Sequence, residues 1–158
     1  MDRAMGNQVG QIFVDADACP VKAEVARVAL RCKWTVFYVS NSGMNIPKGD
    51  GLELVVVDGG FDAADDWIAE RARAGDLVVT ADIPLASRCV KAGARVLDFK
   101  GGEFSEASIG EAVARREILA KLREMGMAAG GPAPFDKRDR SAFLQRMDQV
   151  LRKLSKLP

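Results

Sequence analysis

The sequence predicts an α/β protein, a three-layer α/β/α sandwich whose central, mainly parallel sheet has about five strands. From residue 11 onward, short apolar segments alternate with segments of helical periodicity, and Pro, Gly or Asp marks most of the junctions. Strands separated by helices require parallel pairing with right-handed crossovers. With 158 residues, 48% of them hydrophobic, the chain suits one core and a single domain at residues 11–158. Residues 1–10 are expected to be a poorly ordered extension.

The expected strands are short segments rich in β-branched and aromatic residues. The segment at residues 34–39 is apolar throughout, which is typical of a strand that helices cover on both faces. The remaining expected strands cover residues 12–14, 52–57, 77–80 and 94–97.

The expected helices begin and end at residues that favour helix termini. A first helix of about three turns follows Pro20, because proline suits the first turn of a helix. A second helix begins at Asp62 and ends at Gly75. A third begins near Pro84 and ends near Gly93.

Two C-terminal helices are expected to pack on the sheet. Ser108 followed by Glu111 is a capping-box pattern for the first, although Ser105 competes as the cap, and Gly126 ends that helix. The second begins at about Asp139. Its apolar stripe for docking on the core consists of Phe143, Met147, Val150, Leu151 and Leu154.

Composition excludes several kinds of catalyst and of protein. The chain contains no histidine, so neither a Ser-His-Asp triad nor an imidazole metal ligand exists. Its three cysteines show no C-x-x-C spacing and are expected to be reduced and mostly buried. No apolar run approaches the roughly 20 residues of a membrane span, and the N-terminus does not resemble a signal peptide. We therefore expect a soluble cytoplasmic protein with no membrane partner.

Acidic residues follow three of the expected strands and begin one of the helices. In a parallel sheet, the residues after the carboxyl ends of the strands converge on one edge, where such folds bind ligands. Clustered carboxylates repel one another unless a cation holds them, and oxygen ligands favour Mg²⁺ or Mn²⁺. A metal-bound hydroxide would also replace the missing histidine base. The acids expected at this edge are Asp15, Asp17, Asp58, Asp62, Asp65 and Asp82.

Most of these acids also have an ordinary structural explanation. Asp62 and Asp82 are well placed as N-caps, and Asp65 would favour the positive end of its helix. Asp58, next to two glycines, is typical of a turn. Asp15 is harder to explain in this way, because a carboxylate at the end of a buried strand needs a partner. Capping explains individual acids but not why all of them lie at one edge of the sheet. We therefore rank Asp15 and Asp82 first among the candidate site residues.

Several sequence segments match a known bacterial family. They are VDADACPVK (14–22), GFDAADDWI (60–68), GDLVVTADIPLA (75–86), GGP (130–132) and RDRSAF (138–143). These segments closely resemble the YaiI/YqxD family, whose function is uncharacterised and which is grouped with PIN-like domains. The resemblance implies a PIN-like sandwich. By analogy of fold alone, it also implies a metal-dependent nuclease that hydrolyses phosphodiester bonds, with RNA favoured.

The resemblance also implies roles for individual acids. PIN nucleases use an aspartate after the first strand, acids on a central helix and an aspartate after the fourth strand. The catalytic roles therefore fall on Asp15, Asp62, Asp65 and Asp82. The implied ligands of Mg²⁺ or Mn²⁺ are Asp15, Asp17, Asp65 and Asp82.

Basic and polar residues are candidates for contact with a nucleic acid. Residues 137–158 carry 7 Lys or Arg against 2 acids, whereas residues 11–82 carry 12 acids against 7 Lys or Arg. Lys100 stands where similar sequences tend to have arginine, so it lacks the bidentate fork. Loop formation and a solvated helix face are the alternative roles of these residues. The candidate substrate-binding residues are Asn41, Lys100, Arg138 and Arg140.

Two other functions remain open. FVDADAC (13–19) and VSN (39–41) resemble motifs of haloacid-dehalogenase-type phosphatases, with Asp15 as nucleophile and Asp17 as acid/base. Against this, Cys19 stands where Thr or Val is usual, and no lysine of the third motif stands out. The other alternative is a non-enzymatic module that binds metal or RNA. The sequence leaves the substrate and the oligomeric state open.

Overall fold

The strands of the protein form one sheet in the computed structural model, which describes residues 10–127 and 133–156. They are β1 (Gln11–Asp15), β2 (Thr35–Ser40), β3 (Leu52–Val56), β4 (Leu77–Val79), β5 (Arg95–Leu97) and β6 (Glu103–Phe104). Their order is β3-β2-β1-β4-β5-β6, and all neighbours are parallel except β5 and β6. The predicted parallel sheet is confirmed, and the bounds of its strands agree with the prediction to within about one residue.

The short strand β6 was not expected from the sequence. It pairs antiparallel with β5, so that Glu103 lies opposite Leu97. The chain reverses directly after β5 with the help of Gly101, whose φ of 89° is accessible to glycine at little cost. The guanidinium of Arg95 then donates hydrogen bonds of 2.6 and 2.8 Å to the carboxylate of Glu103, which ties β6 to β5.

The helices of the described residues cover both faces of the sheet, as expected for a three-layer sandwich. They are α1 (Lys22–Cys32), α2 (Ala63–Arg71), α3 (Ile83–Lys91), α4 (Glu106–Glu124) and α5 (Lys137–Ser155). On one face α1 and α5 pack through buried side chains such as Val25, Phe143 and Met147. On the other face α2, α3 and the start of α4 pack through Ile68, Leu85 and similar residues. Burial of apolar surface on both faces is the main force that holds the three layers together.

The starts of the last two helices differ slightly from the prediction. The hydroxyl of Ser105 accepts a hydrogen bond from the Ser108 backbone N–H, and the Ser105 N–H donates in return to the Ser108 hydroxyl. Ser105 is therefore the cap of α4, and the predicted box that starts at Ser108 is wrong. Helix α5 begins at Lys137 because Asp136 caps it through a second reciprocal pair with Asp139.

Some expectations concern the environment of the chain and its ends. No helix of the described residues is long and apolar enough to cross a lipid bilayer. The cysteines are free thiols, of which Cys19 and Cys89 are buried and Cys32 is half-buried. The predicted N-terminal extension, apart from Gly10, and the GGP segment at 130–132 lie outside the described residues.

The docking of α5 on the sheet gives a first testable prediction. Phe143 is fully buried between α5 and the sheet, so Phe143→Ala should lower the free energy of unfolding by about 3–5 kcal/mol. The control is Ile118→Ala on α4, where the side chain is 59% exposed and the change should stay within about 0.5 kcal/mol. Urea denaturation measures both. Equal losses in the two variants would contradict the assignment of α5 to the core.

Candidate active site

The chain changes direction across the sheet between β1 and β4, and this junction organises the candidate site. From β1 the chain adds β2 and β3 on one side, then crosses back to β4 and adds β5 and β6 on the other. Loops from β1 and β4 therefore diverge, which leaves a crevice at the carboxyl edge of the sheet. Asp15 ends β1, and Asp82 follows β4.

Asp15 is held in place by a hydrogen bond across this junction. Val14 pairs with Val79, so the next residues on the two strands are also neighbours, and the buried Thr80 hydroxyl donates to Asp15 Oδ2 at 2.9 Å. Burial raises the pKa of Asp15, the Thr80 hydrogen bond lowers it, and the nearby charges of Asp82 and Asp17 raise it again. The net shift is upward, because the hydrogen bond does not compensate for burial and for the neighbouring negative charges.

Asp82 is fixed by the same threonine and by the helix that it begins. Its backbone N–H donates to Thr80 Oγ1 at 3.0 Å, and its Oδ1 accepts a hydrogen bond of 2.9 Å from the Leu85 N–H. The predicted capping role of Asp82 is confirmed. The cap engages Oδ1 of this partly exposed carboxylate, and no hydrogen bond within the described residues engages Oδ2. Thr80 was not expected to join the two acids, because its contact with Asp15 depends on the pairing of β1 with β4.

Asp65, in the first turn of α2, interacts electrostatically with the two strand-end acids. Burial and then the charges of Asp82, Asp15, Asp62 and Asp66, in that order, together raise its pKa to about 6. The Asp65 carboxylate makes no hydrogen bond or ion pair with the described residues. Three carboxylates from three separate elements therefore lie within electrostatic range at one edge of the sheet.

The other acids named from the sequence have different surroundings. Asp62 occupies the N-cap position of α2 as predicted, yet its exposed side chain makes no capping hydrogen bond. Asp17 accepts hydrogen bonds from the Ser40 hydroxyl at 2.6 Å and the Asn41 backbone N–H at 3.1 Å, which fixes the loop after β2. Asp58 is exposed at the end of the neighbouring β3.

The acidic edge is not a finished metal site. Among residues 10–127 and 133–156, no group of three or more Cys, Asp or Glu side chains is close enough to hold a metal ion. The donor chemistry nevertheless fits a hard cation, because Asp15, Asp65 and Asp82 offer carboxylate oxygens and have no Lys or Arg partner within the described residues. Mg²⁺ usually keeps several waters and binds only one or two carboxylates directly.

Two of the expected phosphate-binding cations are engaged within the protein. The Arg140 guanidinium donates to the Pro20 carbonyl and to Glu24 Oε1, both at 3.0 Å, and so fastens α5 to the start of α1. Lys100 Nζ donates to the Ala133 carbonyl at 2.9 Å and lies 3.8 Å from the Asp139 carboxylate. Arg138 is exposed and has no ion-pair partner in the described part of the chain. Asn41 is exposed, and its backbone makes the contact with Asp17.

A cleft of about 820 Å³ begins at Asp82 and extends along α4. The exposed guanidiniums of Arg115, Arg116 and Arg123 lie on the cleft face of that helix, together with Leu119. These arginines were not expected from the sequence. Together with Leu119, however, they have the spacing of residues on one helical face. The other lining residues are Ala18, Pro20, Ala81, Ile83, Asp98, Phe99, Lys100, Phe104, Ala112, Ala133 and Phe135.

An exposed aromatic ring also lies beside the acidic edge. The Phe61 side chain is 94% exposed and directly precedes Asp62. It follows Gly59 and Gly60, whose φ values of 136° and 103° produce the turn into α2. Phe61 therefore contributes little to the core, and its place beside Asp62 was not noted from the sequence.

The fold and the acidic edge define an α/β/α sandwich with coupled carboxylates at the switch point of its sheet. Comparison with known proteins places the chain in a family: residues 13–153 match the model described as "Uncharacterized BCR, YaiI/YqxD family". The chain therefore belongs to the YaiI/YqxD family, as its motifs indicate.

Relatives from several bacteria support this membership. The chain is 55% identical over 144 residues to a UPF0178 protein of Rhodospirillum centenum, covering 89% of this chain and 94% of the relative. It is 53% identical over 146 residues to a UPF0178 protein of Bradyrhizobium diazoefficiens, covering 92% and 87%. For a UPF0178 protein of Rhizobium meliloti, the identity is 52% over 145 residues, covering 92% and 99%. No solved structure matches the chain.

The raised pKa of Asp65 gives a prediction for the metal-free protein. A carboxyl group whose pKa rises from 3.8 to about 6 on folding binds its proton more tightly in the folded state. Its contribution to stability is therefore present at low pH and is lost as the pH rises between those values. Asp65→Asn should stabilise the protein above pH 6 by less than about 1 kcal/mol, because solvent screens this partly exposed group. The gain should vanish below about pH 4.

Thermal unfolding in EDTA across pH 4–8 measures this effect. Asp50→Asn is the control, because Asp50 is an exposed carboxylate in the loop before β3, at the opposite edge of the sheet. A gain for Asp65→Asn that is independent of pH would contradict the electrostatic coupling of the three acids.

Proposed function

We propose that the protein is a divalent-metal-dependent hydrolase of phosphodiester bonds, a nuclease for which RNA is the favoured substrate. The observation that supports this most strongly is the electrostatic coupling of Asp15, Asp65 and Asp82. These acids come from three elements at the switch point of the sheet and form no ion pair with the described residues. Such an arrangement is costly unless a cation compensates it. The resemblance to PIN-like nucleases, which use acids at these positions, supports the same proposal.

The proposed cation is Mg²⁺ or Mn²⁺, held by Asp15, Asp65 and Asp82 together with water. When bound, it supplies an activated water and stabilises negative charge on a phosphate. Asp17 was a predicted ligand, but both of its oxygens already accept hydrogen bonds, so we propose that it positions the loop after β2 instead. The exposed Asp62, whose carboxylate is not used in a cap, is the proposed further acid of the site.

The chain's own groups prepare this site before any cation binds. A buried side-chain hydroxyl, that of Thr80, orients Asp15, and a helical backbone N–H, that of Leu85, orients Asp82. The two buried thiols are poor candidate nucleophiles, because burial raises the pKa of Cys19 to about 11 and that of Cys89 to about 12. Reduced thiols also agree with the proposed cytoplasmic location.

Cleavage of single-stranded RNA in the presence of Mn²⁺ tests the proposal. Asp15→Asn and Asp82→Asn should each lower the cleavage rate by about 100-fold or more, because each removes a charge that holds the cation. Asp58→Asn is the matched control, since Asp58 follows β3 at the same edge of the sheet and should not affect the rate. Equal activity in all variants, or activity that survives EDTA, would contradict the metal-dependent mechanism.

A phosphatase of the haloacid-dehalogenase type is the second candidate, because the charge of Asp17 lies close enough to affect Asp15. In that mechanism Asp15 attacks the phosphorus of a monoester and the leaving alcohol takes a proton from Asp17. A phosphorylated aspartate trapped with a monoester substrate, with no RNA cleavage, would favour it. Binding of RNA or metal without turnover of either substrate would favour the non-enzymatic module.

A further inference from the structure

We propose that the cleft beside Asp82 binds a single-stranded polynucleotide, with the backbone phosphates on Arg115, Arg116 and Arg123 of α4. This inference rests on the proposed function and specifies its substrate class. The cleft shares Asp82 with the acidic edge, so a strand in it lies next to the carboxylates. The basic C-terminal segment, which the sequence analysis favoured, is a weaker candidate because Arg140 is already engaged with Glu24.

Most of the positive charge of α4 borders the cleft, because Arg115, Arg116 and Arg123 line it and Lys121 does not. The helix carries Glu106, Glu111, Glu117 and Glu124, yet none of these acids lines the cleft. The three cleft arginines form no ion pair with the described residues, whereas Arg31, Arg88 and Arg95 each pair with an acid. The exposed guanidiniums on the cleft are therefore free to bind phosphate, with bidentate hydrogen bonds as an option.

The length of the arginine row favours a polymer over a small phosphate ester. Arg115 and Arg123 are eight residues apart on one helix, which corresponds to about 12 Å along its axis. A single phosphate group contacts only one end of such a row. A chain of phosphates contacts both ends, and the affinity then depends strongly on salt.

The apolar lining of the cleft favours unpaired bases. Phe99, Phe104 and Leu119 line it together with the arginines. Its volume of about 820 Å³ lies within the range of roughly 300–1,000 Å³ that is usual for ligand sites. Bases of a single strand stack on aromatic rings and on guanidinium planes, whereas the bases of a duplex are already stacked and inaccessible. The combination of cations and aromatic rings is thus typical of a single-strand site.

Binding of a fluorescent single-stranded oligouridylate in EDTA tests this inference without any cleavage. The triple variant Arg115→Ala/Arg116→Ala/Arg123→Ala should bind about tenfold or more weakly, and its slope of log K against log salt should be shallower by about 2. A matched triple variant at exposed lysines outside the cleft, Lys48→Ala/Lys91→Ala/Lys121→Ala, should bind within about twofold of the wild type.

Two further measurements distinguish a loss of charge from a loss of folding, and single-stranded from double-stranded RNA. Replacing the three arginines with lysine keeps the charge and should retain most of the salt slope, which a merely misfolded variant would not. A double-stranded RNA of equal length should bind at least about tenfold more weakly than the single strand. The inference would be overturned if the triple arginine-to-alanine variant bound as tightly as the triple lysine-to-alanine control. A preference for the duplex would overturn it as well.

The outcome is distinguishable from failure of the proposed function. Asp15→Asn removes a negative charge near the cleft, so it should not weaken this metal-free binding, whereas it should lower Mn²⁺-dependent cleavage by about 100-fold or more. Binding that depends on the arginines, without any cleavage, would refute the proposed nuclease activity and support single-strand binding in the cleft. Cleavage at the wild-type rate by the triple arginine variant would support the nuclease activity and refute binding in the cleft.

Discussion

The hydrogen bond between Thr80 and Asp15 joins the two strands at which the sheet changes direction. Because β1 and β4 are neighbours with divergent connections, their carboxyl ends are the place where the fold leaves a crevice. Thr80 is buried there, accepts a hydrogen bond from the Asp82 N–H and donates one to Asp15. One small side chain thereby fixes both acids relative to the core, and α2 adds Asp65 to them.

The fixed positions of these acids have an electrostatic cost, which is visible as the raised pKa of Asp15 and of Asp65. Acids elsewhere on the surface avoid this cost by pairing, as Asp66 does with Arg88 and Asp148 with Arg152. The site has the opposite arrangement: acids lie together at the edge of the sheet, and beside them the arginines of α4 form no ion pair within residues 10–127 and 133–156. A bound cation and a polyanion would neutralise both halves together.

The parallel sheet could be predicted from the sequence, and so could the position of Asp15 and Asp82 after its strands, because both follow from short-range patterns. Apolar segments that end in Asp, and a Pro or Asp at the start of most helices, indicate where strands stop and which residues follow them. Thr80 and the partners of Arg140 depend on which strands and helices become neighbours, which local patterns do not specify. The arginine row was missed for the same reason: α4 carries charges of both signs along its length, and only its packing against α3 shows which face borders a cleft.

Direct titration with Mn²⁺, with free Mn²⁺ followed by electron paramagnetic resonance, is the most direct test of the central claim that the coupled acids hold a divalent cation. The account predicts saturable binding to the wild type and to Asp58→Asn, and its loss in Asp15→Asn and Asp82→Asn. Binding should weaken between pH 7.5 and pH 5, because protons compete for Asp65, whose pKa lies at about 6. Binding that is unaffected by either edge substitution, or no binding to the wild type at millimolar Mn²⁺, would contradict the account.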